Sequence, residues 1–310
     1  MQDAAGNRVQ TEARVWVWPD SELLGSAVRS GGGSVVPLPE ANAIVCTGDD
    51  VELLRRSILP DVRWVQLGAA GIEMWFGAGL MTQDVVWTAA KGVYARPIAE
   101  HILAMMLASA RGLPERARAR TWGQTGGRLF AGTTVGVVGA GGTGTELIRL
   151  LEPFAVRTIA LTRDGRRVSN ADISVGPHEL HALLAQSDFV VLAASLTAET
   201  AGLISSESLA WMRPDAWLIN VARGGLVDTD ALVLALESGT IGGAALDVTD
   251  PEPLPEGHAL WALPNVLITP HVACTPAIGA GLLAQRVEEN VRRFSQGDEL
   301  LGVVDQSLGY

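Results

Sequence analysis

Gly139, Gly141 and Gly144 stand in the run Val135-Gly136-Val137-Val138-Gly139-Ala140-Gly141-Gly142-Thr143-Gly144, a GxGxxG spacing. The chemistry such a run can do is to hold a pyrophosphate. One glycine turns the chain sharply out of a strand, a second lets the backbone approach the phosphates, and a third lets a helix pack on the sheet. The following helix, opened by Gly142, Thr143 and Gly144, offers unpaired N–H groups and a partial positive charge. By itself the spacing is weak evidence, because glycine-rich turns also arise for steric reasons alone. Here it follows an apolar strand and opens an amphipathic helix, which is the context a dinucleotide site requires.

Three later stretches carry polar groups that can do chemistry. They are Leu218-Ile219-Asn220-Val221-Ala222-Arg223-Gly224, Ala245-Leu246-Asp247-Val248-Thr249-Asp250-Pro251-Glu252-Pro253, and Val266-Leu267-Ile268-Thr269-Pro270-His271. Arg223, Glu252 and His271 each come just beyond the carboxyl end of an apolar run, where open parallel sheets bind their ligands. A fourth position concerns cofactor choice. The strand Thr158 to Leu161 ends in Thr162-Arg163, where an NAD site would carry a ribose-binding carboxylate. A hydroxyl followed by a guanidinium suits a 2′-phosphate, so NADP(H) is favoured over NAD(H). The alternative is that Asp164 binds the ribose and the arginines sit in a solvated turn.

The elements that must position these residues alternate between short apolar runs and amphipathic segments, the pattern of a parallel sheet covered by helices. Strands are expected at Val15 to Trp18, Ala43 to Cys46, Trp64 to Leu67 and Val85 to Thr88, with Ala27 to Glu40 as loop and strand edge. Pro97 suits the first turn of a helix from Ile98 to about Arg111 that buries Ile102, Met105, Met106 and Ala110. Arg111 to Arg128 reads as a polar surface connector. A second series follows, with six strands at Thr134 to Val138, Thr158 to Leu161, Phe189 to Ala193, Trp217 to Val221, Gly243 to Val248 and Val266 to Thr269. Helices fall between them, for example Thr143 to Leu151 and Asp230 to Glu237, the latter opened by Asp228 or Thr229 and closed by Gly239. This rhythm implies an α/β fold whose second part is a doubly wound sheet.

With 310 residues, 48% of them hydrophobic, the chain can build two cores, and two domains are expected. A net charge of -11 argues against nucleic-acid or anionic-membrane partners. Two cysteines, Cys46 and Cys274, are too few for a disulfide framework and suit a reducing compartment. Met1 to Gln10 is polar and the apolar stretch Ile98 to Ala110 is too short to span a bilayer, so a cytoplasmic protein is expected.

Taken in order, the glycine run and the three polar stretches resemble the signatures of the D-isomer-specific 2-hydroxyacid dehydrogenase family. The resemblance runs from about Trp64 to the C-terminus. Leu67-Gly68-Ala69-Ala70-Gly71, Thr162-Arg163 and the Gly-Tyr terminus at Tyr310 look most like the bacterial glyoxylate/hydroxypyruvate reductases. It implies a dinucleotide-binding (Rossmann) domain, 98–275, inserted into a smaller flavodoxin-like catalytic domain formed by 1–97 and 276–310. It also implies an oxidoreductase moving a hydride between a nicotinamide cofactor and a small 2-oxo or 2-hydroxy acid. Carried over to matching positions, His271 would be the proton carrier, since imidazole titrates near neutral pH. Glu252 would orient it, with Asp250 the competing carboxylate. Arg223 would clamp the substrate carboxylate and polarise the carbonyl. Backbone N–H groups at Ala70 and Gly71 would complete the carboxylate site, Asp247 and Ala222 would lie at the cofactor, and Ser195 to Thr200 would flank it. No metal is implied. A homodimer built on the Arg111 to Arg128 connector is implied, with Trp122 either an interface anchor or a contributor to the partner's site.

Other polar residues have plainer readings. His101, His178, His181 and His258 lack such context and are expected to be structural or surface residues. Asp228 reads as a helix cap rather than a proton relay, and Cys274 as a small hydrophobe rather than a nucleophile. Glu73, Ala89, Lys91 and Ser195 depart from the family pattern. Lys91 either faces the cleft or is a solvated loop lysine, with the latter favoured. The second class of function is a non-catalytic nucleotide-sensing protein of the same fold. A dehydrogenase of formate or phosphite is a third reading.

Overall fold

The computed structural model describes residues 11–81, 84–123 and 126–306. Met1 to Gln10, the polar N-terminal stretch, and the Gly-Tyr terminus lie outside the described residues. The chain divides into two compact units, Met1–Tyr94 with Pro276–Tyr310, and Ala95–Thr275.

The first unit holds β1 (Arg14–Trp18), β2 (Ser34–Val35), β3 (Ala43–Cys46), β4 (Trp64–Leu67) and β5 (Val86–Thr88). They form one parallel sheet in the order β2-β1-β3-β4-β5. Strands β3 and β4 are buried at every residue, which is why they read as continuous apolar runs rather than alternating ones. A polar seam ties the returning C-terminal helix, Pro276–Gln296, to this sheet. Asn290 donates to Gln66 at 2.8 Å, and Thr88 donates to the same Gln66 oxygen at 2.9 Å while accepting from the Trp64 indole. The helix also packs on Glu22–Ser30 through Val287 and Val291 against Leu24 and Val28. The Ala27 to Glu40 stretch therefore differs from its expectation, because Ala27 to Ser30 finish a helix that Ser21 caps at its N-terminus.

The second unit holds β6 (Thr134–Val138), β7 (Arg157–Leu161), β8 (Ile173–Val175), β9 (Phe189–Leu192), β10 (Trp217–Asn220), β11 (Gly243–Leu246) and β12 (Val266–Ile268). All are parallel, in the order β12-β11-β10-β9-β6-β7-β8. The chain runs outward from β6 through β7 to β8, then crosses back to β9, so the topological switch lies between β6 and β9 at the glycine run. Seven strands stand where six were expected. The extra one, β8, is a three-residue edge strand with every residue half-buried, too short to show a period.

Helix Ala95–Ala110 covers one face of this sheet, packing on helix Gly142–Leu151 and on β10 and β11. Ile102, Met105 and Met106 are 2% exposed or less, and each such side chain contributes roughly 1.5–3 kcal/mol. The connector is not wholly irregular, since Leu113–Arg118 forms a helix and Arg118 donates to the Val266 carbonyl of the edge strand β12. Among the described residues no helix is long and apolar enough to cross a membrane.

Candidate active site

The glycine run leaves β6 as its spacing requires. Gly139 has φ 95°, and a Cβ there would lie 2.5 Å from the Ala194 nitrogen on the neighbouring β9 loop. A Cβ on Gly144 would lie 2.4 Å from the Gly139 carbonyl, so the helix sits directly on the turn. At Gly141 the surroundings differ, because nothing lies within 4 Å of where a Cβ would be. The helix Gly142–Leu151 begins there without a side-chain cap. Uncapped N–H groups at a helix start beside such open space fit a pyrophosphate.

At the end of β7, Thr162 is buried and its hydroxyl donates to the Arg166 carbonyl at 3.4 Å; Arg163 is exposed. Asp164 folds back on its own turn, accepting from the Arg166 backbone N–H at 3.3 Å and pairing with the Arg166 guanidinium at 3.8 Å. Arg166 also donates to the Ala140 carbonyl at 3.4 Å, which draws its guanidinium to the glycine run.

Three loops at the carboxyl edge of the sheet carry the catalytic candidates. Asn220, at the end of β10, accepts from the Ala222 N–H at 3.0 Å and donates to the Arg223 carbonyl at 2.9 Å, closing a tight turn around Ala222. Arg223 itself is extended, and its Nη1 donates to the Ala222 carbonyl at 2.7 Å. Next to it, a Cβ on Gly224 would lie 2.0 Å from the Thr249 carbonyl, so the loops after β10 and β11 touch backbone to backbone. The Ser195–Thr200 loop closes on itself through Thr200, which donates to the Ser195 carbonyl at 2.7 Å, and Leu196 lies against Gly225.

His271 follows β12. Its Nδ1 lies 2.6 Å from the Glu252 Oε1, and both side chains are partly exposed, at 52% and 41%. Glu252 rather than Asp250 is thus the carboxylate on the imidazole. His271 has φ 52°, in the left-handed region that non-glycine residues rarely adopt. Two hydrogen bonds hold it there, from the His271 N–H to the Asp247 carbonyl at 2.7 Å and to the Thr269 carbonyl at 3.0 Å.

Asp247 does more here than the resemblance implied. It is 2% exposed, and its carboxylate accepts from Thr269 Oγ1 at 2.6 Å, the Val272 N–H at 2.9 Å and the Ala273 N–H at 2.9 Å. Burial alone would push the carboxyl up. The donors, His101 foremost and then Thr269, Val272 and Ala273, outweigh it and bring the pKa down to about 2. His101 was expected to be a structural or surface residue, yet its Nε2 lies 3.0 Å from Thr269 Oγ1 and 3.5 Å from Asp247 Oδ1. The available signal was a polar Glu100-His101 pair at the start of an otherwise apolar helix.

The remaining candidates are placed as follows. Ala70, exposed, and Gly71, half-buried, lie in the first unit on the loop after β4. Tyr94 donates to the Gly68 carbonyl at the root of that loop at 2.6 Å. Lys91 is not the solvated lysine favoured from the sequence. It is half-buried, and its ammonium donates to the Val303 carbonyl at 3.0 Å, with burial lowering its pKa against the opposing charge of Asp305. Asp228 caps helix Thr229–Glu237 by accepting from the Ala231 N–H. Burial pushes the Cys274 thiol up, away from thiolate chemistry. Trp122 is fully exposed.

Residues 103–273 match the model of the D-isomer specific 2-hydroxyacid dehydrogenase, NAD binding domain. The chain is 36% identical over 293 residues to a Corynebacterium melassecola protein known as the uncharacterized protein in proB 3′ region, spanning 92% of this chain and 96% of that one. Its backbone is similar to that of a D-isomer specific 2-hydroxyacid dehydrogenase from Xanthobacter autotrophicus Py2 in complex with NADPH and MES. That match has a TM-score of 0.86 and 30% identity, over 97% of this chain and 100% of that one. It is also similar to an NADPH-dependent glyoxylate/hydroxypyruvate reductase from Sinorhizobium meliloti in complex with NADP and sulfate, with a TM-score of 0.82 and 25% identity, over 97% and 100% of the two chains. A nicotinamide-nucleotide oxidoreductase is the class that this fold and site define. Within it, the chain belongs to the D-isomer specific 2-hydroxyacid dehydrogenase family.

Proposed function

We propose that the protein is a 2-oxo acid reductase of the glyoxylate/hydroxypyruvate type, working with NADP(H) in preference to NAD(H). The single observation that carries the reading is the 2.6 Å pair of His271 and Glu252 at the carboxyl edge of a sheet whose glycine run fits a pyrophosphate. The nicotinamide, when bound, supplies or accepts the hydride. Everything else falls to the chain. With Nδ1 engaged by Glu252, His271 presents Nε2 as the atom that gives a proton to the carbonyl oxygen of a 2-oxo acid, or takes it from the hydroxyl in the reverse direction. The Glu252 carboxylate, 2.6 Å from Nδ1, keeps the ring in that orientation. Arg223, its guanidinium steadied by the Ala222 carbonyl, is the cation for the substrate carboxylate. On the family resemblance, the N–H groups of Ala70 and Gly71 are further donors to that carboxylate.

For the cofactor, Gly139, Gly141, Gly142, Thr143 and Gly144 take the pyrophosphate, and Ala222 and Asp247 lie toward the nicotinamide end. Thr162 and Arg163 take the 2′-phosphate. Arg166 joins them, and the engagement of Asp164 within its own turn supports the NADP(H) preference. The Ala95–Thr275 unit is the dinucleotide-binding domain and the other unit the catalytic one. A cytoplasmic homodimer, joined through the Arg111 to Arg128 connector, completes the reading. The exposed Trp122, with Leu113 and Leu129, supports that surface.

The test is a reductase assay with glyoxylate, hydroxypyruvate, pyruvate and phenylpyruvate, each with NADH and NADPH. Turnover of at least one is expected, NADPH giving the higher kcat/KM, and His271→Ala should abolish it while NADPH still binds. No turnover with any pair, or His271→Ala at near-normal kcat, refutes the proposal.

A further inference from the structure

We propose that His101 is a positioning residue for the acid–base histidine, acting through Thr269 and Asp247 on the backbone that carries His271; this deepens, and rests on, the dehydrogenase reading above. The order of protons in the network gives the argument. Thr269 has a single hydroxyl proton, and its 2.6 Å contact with the Asp247 carboxylate, which has none to give, uses it. The 3.0 Å contact between Thr269 Oγ1 and His101 must therefore have His101 as donor. The Nε2–H of His101 meets the Thr269 hydroxyl at 3.0 Å with Asp247 Oδ1 beside it at 3.5 Å, the Thr269 hydroxyl passes its own proton to the same carboxylate oxygen, and a His101 lacking a proton on Nε2 serves neither acceptor.

What this chain holds is the turn bearing His271. Asp247 accepts the Val272 and Ala273 N–H groups on its carboxylate and the His271 N–H on its own carbonyl. Four of the five positions from Thr269 to Ala273, all but Pro270, are thus tied to one aspartate. The tie matters because His271 sits at φ 52°, a conformation that returns to ordinary backbone once its restraints slacken. His101 supplies the end of the chain from a rigid element. Its neighbours Ile102, Met105 and Met106 are fixed in the core of the Ala95–Ala110 helix, so the imidazole is presented from a scaffold rather than a loop. Removing the donor frees the Thr269 hydroxyl to rotate away from Asp247, and the turn loses the group that aligns the carboxylate with the two N–H groups.

The test is His101→Leu beside His101→Gln, whose amide nitrogen can stand near the place of Nε2 and donate to Thr269. His101→Leu is expected to lower kcat by about 10- to 100-fold, the effect of a small misplacement of a catalytic group, with the KM for NADPH changed by less than about threefold. His101→Gln is expected to restore most of the loss. Thr269→Val should match His101→Leu, and the double variant should fall no further than either single one. A residue that merely fills space gives the opposite result: Gln fails to rescue, or kcat in His101→Leu stays near normal, and either outcome overturns the proposal. A second readout needs no substrate. The Nδ1–H resonance of His271 against Glu252 in the imidazole NMR spectrum is expected to shift in His101→Leu and Thr269→Val and to return in His101→Gln. If the unaltered protein turns over no 2-oxo acid, the proposed function fails while this resonance still decides the role of His101. An unchanged resonance in His101→Leu sinks it.

Discussion

Asp247→Asn should destabilise the protein by an amount that can be worked from its environment. The carboxylate is buried, and its donors bring the pKa from an ordinary 3.8 down to about 2. At about 1.36 kcal/mol per pH unit, that difference stabilises the folded chain by roughly 2 kcal/mol. The sign follows from the direction. A carboxyl held below its unfolded value stabilises the fold above about pH 4, and the contribution is lost as pH falls through about 2. Hydrogen bonding leads to the same scale. Asparagine must turn its NH2 toward either the Val272 N–H and Thr269 or the Ala273 N–H, and an opposed buried donor costs about 1–3 kcal/mol. The two figures describe one loss and are not summed. Urea unfolding of both proteins without cofactor, at pH 7 and again near pH 3, reads the effect, with hydrogen exchange at the Ala273 amide reporting the site itself. The expected gap is about 2 kcal/mol at pH 7 and about half that near pH 3. A gap within about 0.5 kcal/mol at pH 7, the range of an unremarkable surface change, would refute the reasoning.

Four other expectations come from single contacts. Gly144→Ala puts a methyl 2.4 Å from the Gly139 carbonyl; the helix start must move, so NADPH affinity should fall and about 1–3 kcal/mol of stability be lost, read by fluorescence titration and thermal melts. Arg163→Ala and Arg166→Ala should each weaken NADPH binding far more than NADH binding, and equal losses for both cofactors would remove the 2′-phosphate reading. Glu252→Gln keeps the shape beside His271 and loses the charge, so kcat should drop by about 10²-fold with substrate KM little changed; steady-state kinetics check it. Phe189, fully buried beneath the Arg128 guanidinium and edge-on to Phe130, should cost about 3–5 kcal/mol as Phe189→Ala, measured by denaturant unfolding.

How far the sequence foretold this molecule depended on the range over which each feature is determined. Strands β3 and β4 stand at their expected residues because a strand buried on both faces writes itself as an unbroken apolar run. The glycine run was legible for a similar reason, since backbone close approaches admit one residue type. The end of helix Glu22–Ser30 was taken for loop because Gly31 to Gly33, Pro37 and Pro39 follow it directly, and its partner lies at the far end of the chain in Pro276–Gln296. Strand β8 is too short and too half-buried to be seen alone. The site divides along the same line. Glu252 and His271 were found by their place after strand ends, and the pairing spans only 19 residues. His101 meets Thr269 across 168 residues, and Lys91 meets Val303 across 212, so neither partner can be read from local pattern. Composition could set the chemistry of such residues but not their neighbours.

The left-handed backbone at His271 has a consequence for how this protein can change. Glycine is the residue that this conformation suits best, so His271→Gly removes a local strain of about 1 kcal/mol along with the imidazole. Against that relief stand the lost 2.6 Å contact with Glu252 and the greater chain entropy of glycine. With the proposed acid–base role, the histidine stands at a position where endurance and turnover pull in opposite directions.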